Sequence, residues 1–432
     1  MNLTGTTNQT TVTSVAMRSG TLVILLALVH VISDAVTNML SALLPTLQKQ
    51  FSLSETVLAL LVAALSFSAL VTQPLFGAVA DRVGHRRIAA LGVIFNAILF
   101  SLIGIVPNVY ILFGLILVGG LGSAALHPAM ASMARTAGGS RPELAVGLFS
   151  AGGTLGIAVG PIIIMTVLAN FGLSVTPWLM IPGILFGILM FLSSPVEESN
   201  TVSTSRKFID LSLIAGPVGL LALTGILSNV AFVTFTSAMP LWLVHSHGVS
   251  YDSTLIGWTL SAFSLAAALG GVVGGMISSR LGAKRLIVIS SLLALLPLNA
   301  IFFLIPGSVS YFVMVVLAGA LINAGMPLLI VSAQDLSPKN AATASGMLMG
   351  FSAGVAGLIY VGIGRLQEGM GLVPAMSIGY LALIAAGVSA VIVFKSRQPA
   401  EIDFTPGKIL NCVCSPCIDQ NIEAYPYRTY VP

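Results

Sequence analysis

The chain alternates between long apolar stretches and short polar breaks. Each stretch can cross a bilayer as a helix, which takes about 20 mostly apolar residues. A backbone in lipid must satisfy its own hydrogen bonds, so runs of this length are predicted to be helical. Cutting the sequence at charges, prolines and polar clusters gives twelve runs: 19–46, 54–80, 87–106, 109–134, 143–169, 176–194, 211–244, 254–279, 286–305, 309–334, 341–366 and 371–394.

Composition agrees with a membrane location. Of the 432 residues, 56% are hydrophobic and 7% are Asp, Glu, Lys or Arg, whereas a soluble domain carries roughly 25% charged residues. The basic residues form short clusters without interleaved aromatics, so we expect no nucleic-acid partner. We find no nucleotide-binding loop, metal-ligand pair or nucleophile elbow, and predict neither an enzyme nor a bound cofactor or metal.

The distribution of Lys and Arg predicts the orientation. With the N-terminus inside, all but two of the 18 Lys and Arg residues are cytoplasmic, and Lys49 and Arg365 are the two outside. We therefore predict a multi-pass protein of the cell (inner) membrane with both termini in the cytoplasm. The predicted parts are a tail 1–18, a six-helix bundle 19–194, a polar cytoplasmic linker 195–210, a second six-helix bundle 211–394 and a tail 395–432.

The two predicted bundles contain an internal repeat. Residues 77–87 (GAVADRVGHRR) and 275–285 (GMISSRLGAKR) align at an offset of 198 residues. Pro128 and Gly147 also have counterparts 199 residues later. A parallel repeat of six helices predicts two bundles around a central path, with the binding site between them near mid-membrane.

The first copy of the repeat resembles the loop signature of the major facilitator superfamily, in which Gly precedes Asp-Arg by four residues and a further Gly and a basic pair follow. The matching residues are Gly77, Asp81, Arg82, Gly84, Arg86 and Arg87, and the second copy keeps Gly275, Arg280, Gly282, Lys284 and Arg285. The resemblance spans about residues 19–394 and implies an all-α integral membrane fold of two pseudo-symmetric six-helix bundles. Ser279 stands where the first copy has Asp81, so a charge-mediated cytoplasmic gate is expected to be stronger in the N-terminal half.

Within that superfamily, the chain most resembles the fosmidomycin-resistance-like efflux proteins. Residues 30–34 (HVISD), 126–128 (LHP) and 144–161 (LAVGLFSAGGTLGIAVGP) carry the similarity. That family often has an acid after the His-Pro pair, but here the residue is Ala129. The resemblance implies export of fosmidomycin or a related phosphonate, although the sequence offers no obvious Arg or Lys fork in the central path to bind one.

Asp34 is the acid that lies well inside an apolar run. An ionised carboxylate is expensive there, so we expect Asp34 to exchange protons, with a permanently paired structural Asp as the alternative. His30 lies one turn earlier on the same helix face and either relays a proton, binds an anionic group or is simply hydrogen-bonded. The family resemblance places His127 near the same cavity, and the alternative is a packing residue at the Pro128 kink.

Uncharged polar residues supply further cavity candidates. The residues predicted to contact substrate besides His127 are Asn38, Gln73, Asn229 and Asn323. Because the C-terminal half contributes neutral groups here, we expect proton exchange in the N-terminal half.

The fifth run carries a face of small residues with Gly152, Gly156 and Gly160 four apart, followed by Pro161. Such a face lets helices approach closely. It also resembles the helix-five pattern associated with antiporters of the superfamily, which favours export over uptake.

The function predicted from the sequence is a proton-coupled antiporter that exports a small organic compound by alternating access, acting as a monomer in the lipid bilayer. The alternatives are a proton symporter for a small organic anion, sugar or metabolite, and a non-transporting membrane sensor. Cys412, Cys414 and Cys417 lie in the tail, where we expect no site.

Overall fold

The computed structural model describes residues 19–140, 142–195, 216–337 and 341–395. Residues 1–18, nearly all of the predicted linker 195–210, and the C-terminal tail with its three cysteines lie outside the described residues. Within the described part, twelve helices are long and apolar enough to cross a membrane. The twelve helices predicted from hydrophobicity are thus confirmed.

The helices are numbered in chain order. In the N-terminal half they are α1 Ser19–Phe51, α2 Glu55–Val83, α3 His85–Ile105, α4 Val109–Ala137, α5 Ala145–Phe171 and α6 Leu173–Ser193. In the C-terminal half they are α7 Pro217–His247, α8 Thr254–Ser278, α9 Ala283–Phe303, α10 Val309–Leu336, α11 Ala344–Met370 and α12 Leu372–Lys395.

Local sequence signals explain several helix ends. Ser54 and Asn108 cap α2 and α4 by accepting hydrogen bonds from the main-chain N–H groups of Val57 and Ile111. The chain turns between α2 and α3 at Gly84 with φ of 105°, and between α8 and α9 at Gly282 with φ of 77°. A residue with a Cβ rarely adopts this backbone conformation, which explains why both copies of the repeat have Gly there.

The first helix is longer than predicted. It continues through Pro45 and ends at Phe51, not at residue 46. Proline removes one backbone hydrogen bond and bends a helix without always ending it. Phe51 in the last turn packs against the apolar core, so the helix continues past the polar residues 48–50.

Two short π-helical turns, which the sequence did not predict, interrupt α2 at Phe67–Val71 and α11 at Met347–Phe351. The two turns pack against each other across the molecule. Such insertions are often found at functional sites.

Six helices form each half, and the halves meet where α2 packs on α11 and α5 packs on α8. Large apolar side chains remain on the outer surface, including Phe303 at 88% exposure and Val309 at 83%. Exposed aromatic residues near helix ends, such as Tyr110 and Trp178, fit the polar interfaces of a bilayer. The outer surface is therefore a lipid-facing surface.

The two ends of the bundle differ in how closely the halves approach. We call the end that carries Asp81 the signature end, and the end that carries Lys49 the opposite end. Towards the opposite end, a Cβ on Gly364 of α11 would lie 2.5 Å from the Ala59 Cβ of α2. The core cluster at the opposite end contains buried residues of both halves, whereas the buried residues at the signature end form two clusters, one in each half. The described structure is thus closed at the opposite end and separates towards the signature end.

Candidate functional site

Glycines of α5 bring its backbone into direct contact with α1. A Cβ on Gly152, Gly156 or Gly160 would lie 2.3 to 2.4 Å from a main-chain oxygen of α1, closer than any side chain can approach. The four-residue spacing therefore places a continuous small face against α1. Pro161 lies where α5 meets α8, since a Cβ on Gly257 would lie 2.7 Å from the Pro161 carbonyl oxygen.

Gly153 makes room for the polar centre of the site. A Cβ at this position would lie 2.4 Å from His30 Cε1 and 2.9 Å from Asp34 Oδ2. This residue was not among those that the sequence predicted to belong to the site. The signal that could have identified it is the Gly152–Gly153 pair, because the second glycine breaks the four-residue spacing of the small face.

Asp34 lies between two histidines. Its Oδ1 is 3.1 Å from His127 Nε2, and its Oδ2 is 3.3 Å from His30 Nε2. The side chains of His30 and Asp34 are 7% and 11% exposed, whereas that of His127 is 22% exposed. The structure thus brings together the three residues that the sequence and the family resemblance placed near one cavity, and we call them the triad.

Main-chain carbonyls fix the orientation of both imidazoles. His30 Nδ1 lies 2.7 Å from the Phe149 oxygen, and His127 Nδ1 lies 2.7 Å from the Ser123 oxygen. A carbonyl only accepts, so each Nδ1 carries a hydrogen and each Nε2 faces the carboxylate. The Phe149 ring also stacks on the His30 ring at a centroid distance of 4.1 Å.

This arrangement determines how protons are distributed in the triad. A neutral imidazole with hydrogen on Nδ1 presents a lone pair at Nε2, which repels a carboxylate oxygen. The 3.1 Å contact between His127 and Asp34 therefore needs a proton between the two atoms. His30 Nε2 is buried without a hydrogen-bond partner and faces Asp34 Oδ2 at 3.3 Å, so it offers a site for a second proton. The triad carries a net charge of −1, 0 or +1 as it holds none, one or two of these protons.

The donor atoms of the triad lie within 4.8 Å of one another, close enough to hold a metal ion. Two imidazole nitrogens and a carboxylate are donors that zinc accepts. The 3.1 Å separation between His127 Nε2 and Asp34 Oδ1 is, however, a hydrogen-bond length, so a proton between these two atoms accounts for the contact without a metal ion.

The neutral candidates lie apart from the carboxylate. The Asn38 side chain donates to the main-chain oxygen of Asp34, at 2.8 Å. Gln73 lies beside α11, where a Cβ on Gly350 would be 3.1 Å from its Oε1. Asn229 and Asn323 line a separate cavity of about 20 Å³ in the C-terminal half, which has room for about one water molecule.

The signature loop contains a contact that the sequence did not predict. Asp81 Oδ1 lies 3.1 Å from His85 Nε2 across the turn at Gly84, and the Asp81 side chain is 73% exposed. Arg86 stacks over the Phe191 ring at 4.2 Å, which anchors the loop to α6. A Cβ on Gly77 would contact Pro128 of α4 at 3.5 Å.

Comparison with known proteins assigns the fold to a family. The profile of the Major Facilitator Superfamily matches residues 26–361. The chain belongs to the Major Facilitator Superfamily.

The most similar proteins of this superfamily include two from bacteria. The chain is 24% identical to the fosmidomycin resistance protein of Escherichia coli K12, over 79% of this chain and 85% of that protein. It is 26% identical to the uncharacterized MFS-type transporter YfnC of Bacillus subtilis 168, over 84% of this chain and 90% of that protein. The protein is therefore a multi-pass membrane transporter, and the predicted superfamily and the resemblance to fosmidomycin-resistance proteins are confirmed.

Solved structures of the superfamily share the fold. The crystal structure of the nucleoside transporter NupG superposes with a TM-score of 0.69 at 15% identity, over 88% of this chain and 100% of that chain. At this identity the likeness concerns the fold of two six-helix bundles.

Proposed function

We propose that this transporter is a proton-coupled antiporter that exports a small organic compound. The observation that supports the proposal is the triad, a buried carboxylate that lies 3.1 and 3.3 Å from two imidazoles. An ionised Asp in a membrane costs about 3 kcal/mol at mid-bilayer. Access to water favours the ionised form, whereas occlusion favours the protonated triad, so proton occupancy is linked to the side from which the site is open.

The exposure of the triad fits this coupling. His127 is the most exposed of the three residues and bonds directly to the carboxylate, so it is the residue through which water would exchange protons with Asp34. The path widens towards the signature end, which the charge distribution predicts to be cytoplasmic. In the proposed cycle, the triad releases protons to the cytoplasm in this conformation and binds them again after the transporter opens outward.

Export is the proposed direction because of two features. The similarity to a fosmidomycin resistance protein and the small face of α5 both favour it. The substrate class that we propose first is a phosphonate such as fosmidomycin. That choice rests on the similarity to the fosmidomycin resistance protein.

Expression of the chain in an efflux-deficient, drug-sensitive bacterium is expected to raise resistance to fosmidomycin or another compound of a drug panel, and a proton uncoupler should abolish the effect. The readout is the minimum inhibitory concentration together with accumulation of the compound in cells. Faster accumulation in expressing cells would contradict export and favour the uptake symporter.

Asp81→Asn is expected to lower transport several-fold with little change in expression. In this conformation Asp81 is exposed and contacts His85, so it is available to bind a partner when the signature end closes. Ser279→Ala, at the equivalent position of the repeat, is the matched control and should have almost no effect. Equal losses in the two variants would contradict the proposed asymmetric gate.

A further inference from the structure

A polar cluster joins the halves at the opposite end, beginning with the end of α1. The Lys49 ammonium lies 3.7 Å from the centroid of the Tyr251 ring, which belongs to the turn between α7 and α8. One turn earlier, the Thr46 hydroxyl donates to the Tyr251 main-chain oxygen at 3.1 Å. A cation over an aromatic face is attracted by the ring electrons, so α1 is fastened to the C-terminal half by both contacts.

A second contact connects α11 with the start of α2. Glu368 of α11 accepts a hydrogen bond from the Thr56 main-chain N–H at 3.0 Å, and its other oxygen lies 2.6 Å from Arg365. Thr56 is in the first turn of α2, where main-chain N–H groups have no partner within the helix and carry partial positive charge. Ser54 caps α2 from its own half, and Glu368 adds a cap from the other half.

The two basic residues in this cluster are also the two that depart from the concentration of Lys and Arg on the cytoplasmic side. Lys49 and Arg365 are the Lys and Arg residues that the sequence places outside. Basic residues on the outer side do not help to set the orientation of the protein in the membrane. Lys49 contacts Tyr251 of the other half, whereas Arg365 pairs with Glu368 of its own helix and orients it.

The helix pairs that join the halves are also closely packed beside these polar contacts. A Cβ on Gly357 of α11 would overlap the Ser66 side chain of α2, and one on Gly257 of α8 would lie 2.7 Å from the Pro161 oxygen of α5. Opening this end therefore requires both polar contacts to break and both helix pairs to separate.

We propose that Lys49, Tyr251, Arg365 and Glu368 form the gate of the opposite end, which holds that end closed while the signature end is open. The inference rests on the proposed function only in assuming that the transporter alternates between two open states. Loss of these contacts leaves the apolar helix packing in place, so it should shift the equilibrium between the two states and leave the fold intact.

The test measures distances between spin labels in purified protein, with Cys412, Cys414 and Cys417 replaced by Ser. One label is placed at Tyr110→Cys and the other at Gly369→Cys, two exposed positions at this end in opposite halves. In the double variant Lys49→Gln/Glu368→Gln, we expect more molecules in which the two labels are far apart. The fraction of molecules with this longer distance should be at least three times that of the wild type. The single variants should lie between the two, and they remain informative if the double variant is poorly folded.

Asp252→Asn is the matched control, because Asp252 is a half-buried acid at the same end whose contact is with Ser250 of its own half. It should leave the distances unchanged. Distances in the single and double gate variants that equal those of the wild type would overturn the proposal. The measurement uses neither substrate nor a proton gradient, so its failure is distinct from a failure of proton-coupled export.

Discussion

Asp34→Asn is expected to abolish transport driven by a pH gradient, with expression and folding preserved. Asparagine has the shape of a protonated aspartate, but it neither releases nor binds a proton. The carboxylate lies between His30 and His127 at 3.3 and 3.1 Å, and the amide can still occupy that space. The loss should therefore affect coupling, while exchange of substrate down its own gradient persists.

The measurement is flux of the compound into inverted membrane vesicles at several imposed pH gradients. Asp34→Glu should keep part of the activity with a shifted pH optimum, because the carboxylate moves by about one bond length. His30→Ala should change the pH dependence if the residues titrate as a group. Asp252→Asn serves as the control for loss of an acid elsewhere in the protein. Full gradient-driven flux in Asp34→Asn would make Asp34 a structural residue.

Gly153→Ala is expected to lower gradient-driven transport by roughly tenfold or more, since displacing reacting groups by 1 Å can cost about a hundredfold in rate. The added methyl group would lie 2.4 Å from His30 Cε1 and 2.9 Å from Asp34 Oδ2. Either the histidine or α5 must move, and both movements disturb the triad.

Gly147→Ala is the control for this variant, because it adds the same methyl group to the same helix in open space. It should transport at the wild-type rate. Flux in vesicles and the amount of folded protein on size-exclusion chromatography separate a defect of the site from one of stability. Equal transport by the two variants would contradict the packing of the triad against Gly153.

Much of this fold is predictable from hydrophobicity because the bilayer permits few solutions. A run of 20 apolar residues must form a helix there, so all twelve helices can be found from the sequence. The helix ends are harder to predict. The apolar pattern ends α1 at residue 46, but the helix continues through Pro45 to Phe51, whose ring packs against the apolar core.

The site is only partly predictable. His30 and Asp34 share a helix face through their four-residue spacing, which is visible in the sequence. Residues 93 positions apart, such as Asp34 and His127, are brought together by packing between helices, and the family resemblance is the information that connects them. The closeness of Gly153 to the triad and the facing π-helical turns of α2 and α11 depend on contacts between helices, which no local pattern records.

The measurement that tests the central claim most directly is proton movement driven by the substrate. Purified protein is reconstituted in liposomes with a trapped pH-sensitive dye, and a gradient of the compound from the resistance screen, fosmidomycin first, is imposed without a pH gradient. Antiport through the triad predicts that protons move against the direction of the compound in the wild type and that this movement is absent in Asp34→Asn. Movement of the compound with no proton flow, or with protons in the same direction, would contradict the account.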